Sequence, residues 1–186
     1  MIDSLSGNLN KARKPNVWEA NRLEAKNYFV VTLHRPSNVD DPEAFSALIH
    51  AIAHSATGSK VVFPVHPRTQ RNTKNIRGID NIILSDPLSY LEFIFLVQHS
   101  AGVITDSGGI QEETTWLGIP CITLRRSTER PETVTVGTNE VIGDDYELLR
   151  KLVAEIKSGQ WKKGRIPELW DGKTAERIVS TLLTLR

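Results

Sequence analysis

Six short apolar runs alternate with helical patterns along this chain, and that alternation limits the fold more than any motif does. The runs cover residues 28–33, 60–65, 81–84, 102–105, 120–124 and 139–142. Within them apolar residues stand side by side instead of alternating with polar ones. Strands covered on both faces carry this pattern. The intervening segments carry helical spacing: 44, 45, 48, 49 and 52 on one face after Asp40 or Asp41 as a cap, an apolar helix over 90–99, and a helix over 110–117 stopped by Gly118 with Pro120 beyond. A short polar helix is expected at 69–77, another at 144–156 after Asp144 and Asp145, and an amphipathic one at 171–185. The predicted class is α/β: an open parallel sheet with helices on both faces. At 186 residues it forms one domain of ordinary size, with 1–27 as a polar lead-in in which 16–26 reads as a helix or linker.

Composition removes several classes of function. Lys and Arg total 23 against 22 for Asp and Glu, so a broad basic face for nucleic acid is not expected. The longest apolar run, 93–97, falls far short of the roughly 20 residues of a membrane helix. Residues 1–10 are mostly polar after Ile2, so no secretory signal is expected. The single cysteine, Cys121, excludes an internal disulfide and a Cys-rich zinc site, and fits the cytoplasm.

In open α/β sheets ligands bind beyond the carboxyl ends of the strands. That rule selects four loops, at 34–38, 66–68, 106–109 and 125–130. The turn Asp106-Ser107-Gly108-Gly109 leaves a strand and opens a helix, so the free amides of Gly109 and Ile110, with the Ser107 hydroxyl, form a candidate anion site. The same turn serves equally as a plain helix cap. Glu112 and Glu113 follow one turn later, about 100° apart, so only one faces the loop mouth; a carboxylate there suits the two hydroxyls of a ribose. Arg125, Arg126 and Arg130 stand among Glu129 and Glu132, as phosphate ligands or as a surface network. Pro131 holds Arg130 extended. His34-Arg35 and His66-Pro67 sit just past strands, with no Glu or Cys at metal-ligand spacing, so no metal is expected.

These motifs occur together in one family. T-L-H-R-P-S-N at 32–38, T-D-S-G-G-I-Q-E-E at 105–113, T-E-R-P-E at 128–132 and V-G-T-N at 136–139 resemble UDP-N-acetylglucosamine 2-epimerase. The resemblance runs over nearly the whole chain. It implies one half of a two-domain enzyme of the glycosyltransferase-B architecture: the C-terminal, UDP-binding domain at 28–186, with I-D-S-L at 2–5 resembling the interdomain connector. The reaction it implies interconverts UDP-N-acetylglucosamine and UDP-N-acetylmannosamine by anti elimination and re-addition of UDP, for cell-envelope polysaccharide synthesis, with no cofactor. The acid and base carboxylates then belong to an N-terminal half, the expected partner; a homodimer stays open.

Carried over residue by residue, the resemblance assigns His34 to the diphosphate region and to assisting the chemistry. It assigns Ser107, Gly109 and Arg130 to the phosphates, Glu113 to the ribose and Phe93 to the uracil. Arg35 and His66 match positions that contact a second UDP-N-acetylglucosamine acting as activator. The chain departs from the pattern at Pro36-Ser37, where many members carry Arg-Glu before Asn38. The alternatives are a hydrolysing epimerase that releases N-acetylmannosamine and UDP, and a stand-alone UDP-binding or glycosyltransferase-B domain.

Overall fold

The computed structural model describes residues 1–185. Its sheet has six parallel strands: β1 (Tyr28–Thr32), β2 (Lys60–Pro64), β3 (Ile82–Ser85), β4 (Gly102–Thr105), β5 (Cys121–Thr123) and β6 (Asn139–Val141). Their spatial order is β3-β2-β1-β4-β5-β6. The chain winds outward from β1 to one edge, returns to the middle and winds to the other. That is the doubly wound Rossmann order, and its switch point lies between β1 and β4. The register of that central pair, Phe29 opposite Gly102 through Thr32 opposite Thr105, brings the two strand ends level. The loops that leave them are therefore neighbours.

The helices in chain order are α1 (Ile2–Asn8), α2 (Asn16–Ala20), α3 (Pro36–Val39), α4 (Pro42–Ser55), α5 (Tyr90–His99), α6 (Gly108–Leu117), α7 (Pro131–Thr135), α8 (Tyr146–Lys157) and α9 (Thr174–Thr184). Asp41 caps α4, accepting from the amides of Glu43 at 2.9 Å and Ala44 at 3.1 Å, and Asp145 caps α8 through Leu148. Gly118 ends α6 at a φ of 68°, a left-handed conformation that costs glycine little. Strand side chains alternate between two cores. Phe29, Val31, Val61, Phe63, Ile104 and Ile122 meet α4 and α8, while Tyr28, Val30, Val62 and Val103 meet α5 and the Val17–Trp18 edge of α2. Each such buried side chain contributes roughly 1.5–3 kcal/mol.

Several elements differ from the sequence reading. Residues 70–76 form a 3-10 helix. The short helices α3 and α7 were not foreseen, because Pro36 and Pro131 read as breakers. Both prolines occupy the first helical turn, where no N–H is needed. Helix α6 begins at Gly108, two residues earlier than expected. Within the lead-in, α1 lies against α5 and α6 through buried Ile2 and Leu5, with Trp116, Leu117 and Trp170 packed on the same cluster. The last helix starts at Thr174, and none of its residues is buried; Ile178, Val179, Leu182 and Leu183 are exposed.

Candidate functional site

Asp106 ties the switch point together. It follows β4 and is fully buried. Its carboxylate accepts hydrogen bonds from the backbone amides of His34 and Arg35 and from Asn38 Nδ2, at 3.0–3.2 Å. His34 Nδ1 lies 2.8 Å from its Oδ1. Four groups of the loop after β1 thus converge on one side chain from the loop after β4. A buried charge needs such partners to be tolerated. Asn38 Nδ2 also reaches the Leu124 carbonyl at 3.2 Å, adding the end of β5 to the same knot. Asp106 thus orients His34 through both its amide and its ring.

The histidines face one another. The rings of His34 and His66 stand 5.8 Å apart between centroids. With Nδ1 of His34 donating to Asp106, its Nε2 is left for a ligand or a proton. His66 Nδ1 accepts from the Arg68 amide at 3.2 Å, so its Nε2 carries the hydrogen. Both rings line a cavity of about 230 Å³ at the carboxyl ends of β1 and β2. Its other walls are Leu33, Val65, Pro67, Pro87, Leu88, Phe93 and Ile110, with Ser107 at one side. An apolar slot with a few polar groups at its rim suits a flat ring. Phe93, Ser107, His34 and His66, all singled out from sequence, meet here.

Ser107 is the residue before α6. Its side chain does not cap the helix, and its amide donates to Thr105 Oγ1 at 3.0 Å. The hydroxyl is thus left beside the first-turn amides of Gly108, Gly109 and Ile110, where the helix dipole favours an anion. The α-carbon of Gly109 lies under the end of Met1: a Cβ added there would stand 2.8 Å from its methyl carbon.

The two glutamates divide as their 100° separation requires. Glu113 is 3% exposed, and its Oε1 accepts from Tyr90 Oη at 3.0 Å. Burial pushes its carboxyl up to about 6; the Tyr90 hydroxyl works against that rise and the Glu112 charge adds to it. Glu112 instead receives Arg130 Nε at 2.7 Å. Arg130 Nη1 donates to the Glu129 carbonyl at 3.1 Å, and Nη2 has no partner among the described residues. Arg125 forks onto both Glu129 oxygens at 2.6 Å, and Arg126 reaches Asp144 at 3.4 Å in full exposure. Arg126 belongs to the surface, whereas the Arg125 side chain is largely buried and its guanidinium is committed to Glu129. Arg35 donates from Nε to the Asp106 carbonyl at 3.2 Å and lies beside Glu129.

Comparison with known proteins identifies the family. The sequence model of the family described as UDP-N-acetylglucosamine 2-epimerase matches residues 1–183. The chain belongs to that family. A UDP-N-acetylglucosamine 2-epimerase from Methanocaldococcus jannaschii is 40% identical over 165 residues, 83% of this chain and 44% of that protein. A UDP-2,3-diacetamido-2,3-dideoxy-D-glucuronate 2-epimerase from Pseudomonas aeruginosa is 39% identical over 123 residues, 66% of this chain and 35% of its own length. The crystal structure of the Methanocaldococcus jannaschii epimerase in complex with UDP-GlcNAc and UDP superposes with a TM-score of 0.80 at 36% identity, covering 98% of this chain and 52% of that one. The chain thus spans about half the length of the UDP-N-acetylglucosamine 2-epimerases it matches.

Asp106 and Tyr90 are the site residues that sequence reasoning missed. Asp106 read as a helix cap, since its partners lie about 70 positions earlier. Tyr90 read as the start of an apolar helix, and the one available signal was a polar-tipped ring at that helix's first position. No helix among the described residues is long and apolar enough to cross a membrane.

Proposed function

We propose that this chain is the UDP-binding, C-terminal half of a UDP-N-acetylglucosamine 2-epimerase, working in the cytoplasm with an N-terminal half that carries the acid and base carboxylates. The observation that carries the reading is the cavity at the switch point, rimmed by His34, His66 and Ser107 and tied by Asp106. In this reading uracil enters the apolar slot beside Phe93, and Glu113 accepts from the ribose hydroxyls. Ser107, the amides around Gly109 and the unpaired end of Arg130 receive the diphosphate. His34, held through Nδ1, donates from Nε2 in its imidazolium form to the departing phosphate oxygen, which gains negative charge as the C1–O bond breaks. Loss of UDP from C1 and of the C2 proton to a carboxylate of the N-terminal half gives a 2-acetamidoglucal; UDP then re-forms the C1–O bond while a proton is delivered to the opposite face of C2. His66 lines that cavity and is available to a second nucleotide sugar; Arg35 does not line it, its side chain lying on the Asp106 carbonyl and beside Glu129, so its part in such a site rests on the resemblance alone.

Two observations support the division of labour. Relatives named for different sugars match this half at similar identity, as expected if it reads UDP and the other half reads the sugar. Helix α9 presents exposed Ile178, Val179, Leu182 and Leu183, an apolar face suited to a second domain.

Calorimetry with UDP and uridine, together with proton NMR of UDP-N-acetylglucosamine over time, tests the proposal. The chain should bind UDP more tightly than uridine and leave the sugar nucleotide unchanged. Arg130→Ala should weaken UDP while sparing uridine, and Arg130→Lys should recover only part, since an ammonium cannot make paired contacts. Absence of UDP binding would overturn the nucleotide site, and turnover by the chain alone would overturn the division between halves.

A further inference from the structure

The two elements assigned to the diphosphate are joined by a buried polar network that the reading above does not use. Gln111 and Asn139 are both completely buried. Burying an amide costs several kcal/mol unless each of its groups finds a partner. Here the partners dictate one arrangement. Gln111 Nε2 donates to the Ser107 carbonyl at 3.2 Å, an acceptor and nothing else. Gln111 Oε1 therefore faces the other way, accepting from Thr128 Oγ1 at 2.6 Å and Asn139 Nδ2 at 3.2 Å. Asn139 Oδ1 in turn accepts from Thr123 Oγ1 at 2.7 Å. Neither amide can flip without placing donor against donor or acceptor against acceptor.

The network ends on Arg130. Having donated to Gln111, the Thr128 hydroxyl accepts from the Arg130 amide at 3.0 Å. The Thr133 hydroxyl accepts from Asn139 Nδ2 at 3.1 Å and donates to the Arg130 carbonyl at 2.7 Å. Both backbone polar groups of Arg130 thus finish on hydroxyls whose proton directions the buried amides set. Arg130 sits at φ −128° and ψ 63°, outside helix and strand; its carbonyl also accepts the Thr133 amide at 3.0 Å, but its own amide is held by the Thr128 hydroxyl. A core serving stability alone is equally well filled by apolar groups of the same shape. Satisfied buried networks add fixed geometry instead.

We propose that the Gln111–Asn139 pair, acting through Thr128 and Thr133, is a positioning device that holds Arg130 and the Ser107 helix start at one separation, matched to a diphosphate. The proposal rests on the assignment of those two residues to the phosphates. Gln111 is its keystone, because one side chain reaches both elements.

Thr128 gives the cleanest test, since it is only half-buried and Thr128→Val keeps its shape. Affinities for UDP and uridine are measured by NMR titration on the chain, with thermal denaturation alongside. Thr128→Val should weaken UDP about tenfold, the scale of one charge-assisted hydrogen bond, and leave uridine within about twofold. Thr128→Ser, which restores the hydroxyl, should return UDP affinity to near the parent value. A lowered melting temperature with an unchanged UDP-to-uridine ratio would overturn the proposal and reduce the network to packing. Arg130→Ala separates this from the underlying assignment. If it lowers the ratio and Thr128→Val does not, only the positioning role falls. If Arg130→Ala leaves the ratio unchanged, the diphosphate assignment falls and the positioning role with it.

Discussion

Glu113→Gln should stabilise the unliganded chain at neutral pH and weaken its hold on UDP. The carboxyl is 3% exposed and titrates near 6 against an ordinary value of 4.5, with burial the main cause. At 1.36 kcal/mol per pH unit, keeping it ionised in the fold costs about 2 kcal/mol. The sign follows from the raised value. Below 4.5 the group is neutral folded and unfolded, and there is no cost. As pH rises through about 6 the folded state must carry a buried charge, and stability is lost. Glutamine has the same shape, keeps an oxygen for Tyr90 Oη and never ionises. Its melting temperature at pH 8 should exceed the parent's by about 4–8 °C, from roughly 2–4 °C per kcal/mol for a chain of this size. The gap should close by about pH 4. UDP affinity should fall by about 1–2 kcal/mol, one charge-assisted hydrogen bond to the ribose. The assay is circular-dichroism melting of both proteins from pH 4 to 8, with UDP titration at pH 8. Parallel stability curves, or a less stable variant at pH 8, would refute the burial argument. Unchanged UDP affinity would refute the ribose role.

Tyr90→Phe removes the hydrogen bond that keeps the Glu113 carboxyl from rising further, so the midpoint of that stability curve should move to higher pH. Arg126→Ala should leave melting temperature and UDP affinity unchanged, because its pair with Asp144 is almost wholly exposed. Gly137→Ala should destabilise the fold by at least about 2 kcal/mol, read by urea unfolding: an added Cβ would stand 2.6 Å from the Thr133 carbonyl oxygen and press on the Thr115 side chain, with backbone on one side unable to yield. Deleting α9 should change the unfolding midpoint of the remaining domain little, since the helix contributes no buried residue.

The sheet was legible because its signal is local. An unbroken apolar run such as Tyr28–Thr32 reports burial on both faces without reference to any other segment. The loops to inspect followed from the same pattern, and His34, His66, Phe93 and Ser107 do share one cavity. Illegible features depended on contacts across the chain. Asp106 in D-S-G-G has the composition of a cap, and only the level ends of β1 and β4 make it the anchor of His34. The pairing of Glu112 with Arg130, and of Glu113 with Tyr90, needs the relative placement of α5, α6 and the loop before α7. Gln111 and Asn139 lie 28 positions apart, and nothing local marks either amide as buried.

The exposure of helix α9 also has a kinetic consequence. The helix has 11 residues, under the roughly 12–15 that let an isolated helix persist in water. It is tethered mainly at its start, where Asp3 accepts from the Ala175 amide at 2.8 Å and Arg177 donates from Nη1 to both Asp171 oxygens and from Nη2 to the Leu169 carbonyl. Its last two turns therefore open without disturbing the sheet. Amide protons there should exchange with deuterated water orders of magnitude faster than those of α4, whose opening requires unpacking Phe45, Ile49 and Ile52. Docking of a second domain on Ile178 and Leu182 would then appear as a slowing of exchange in α9 alone, a local reporter of assembly built into the end of the fold.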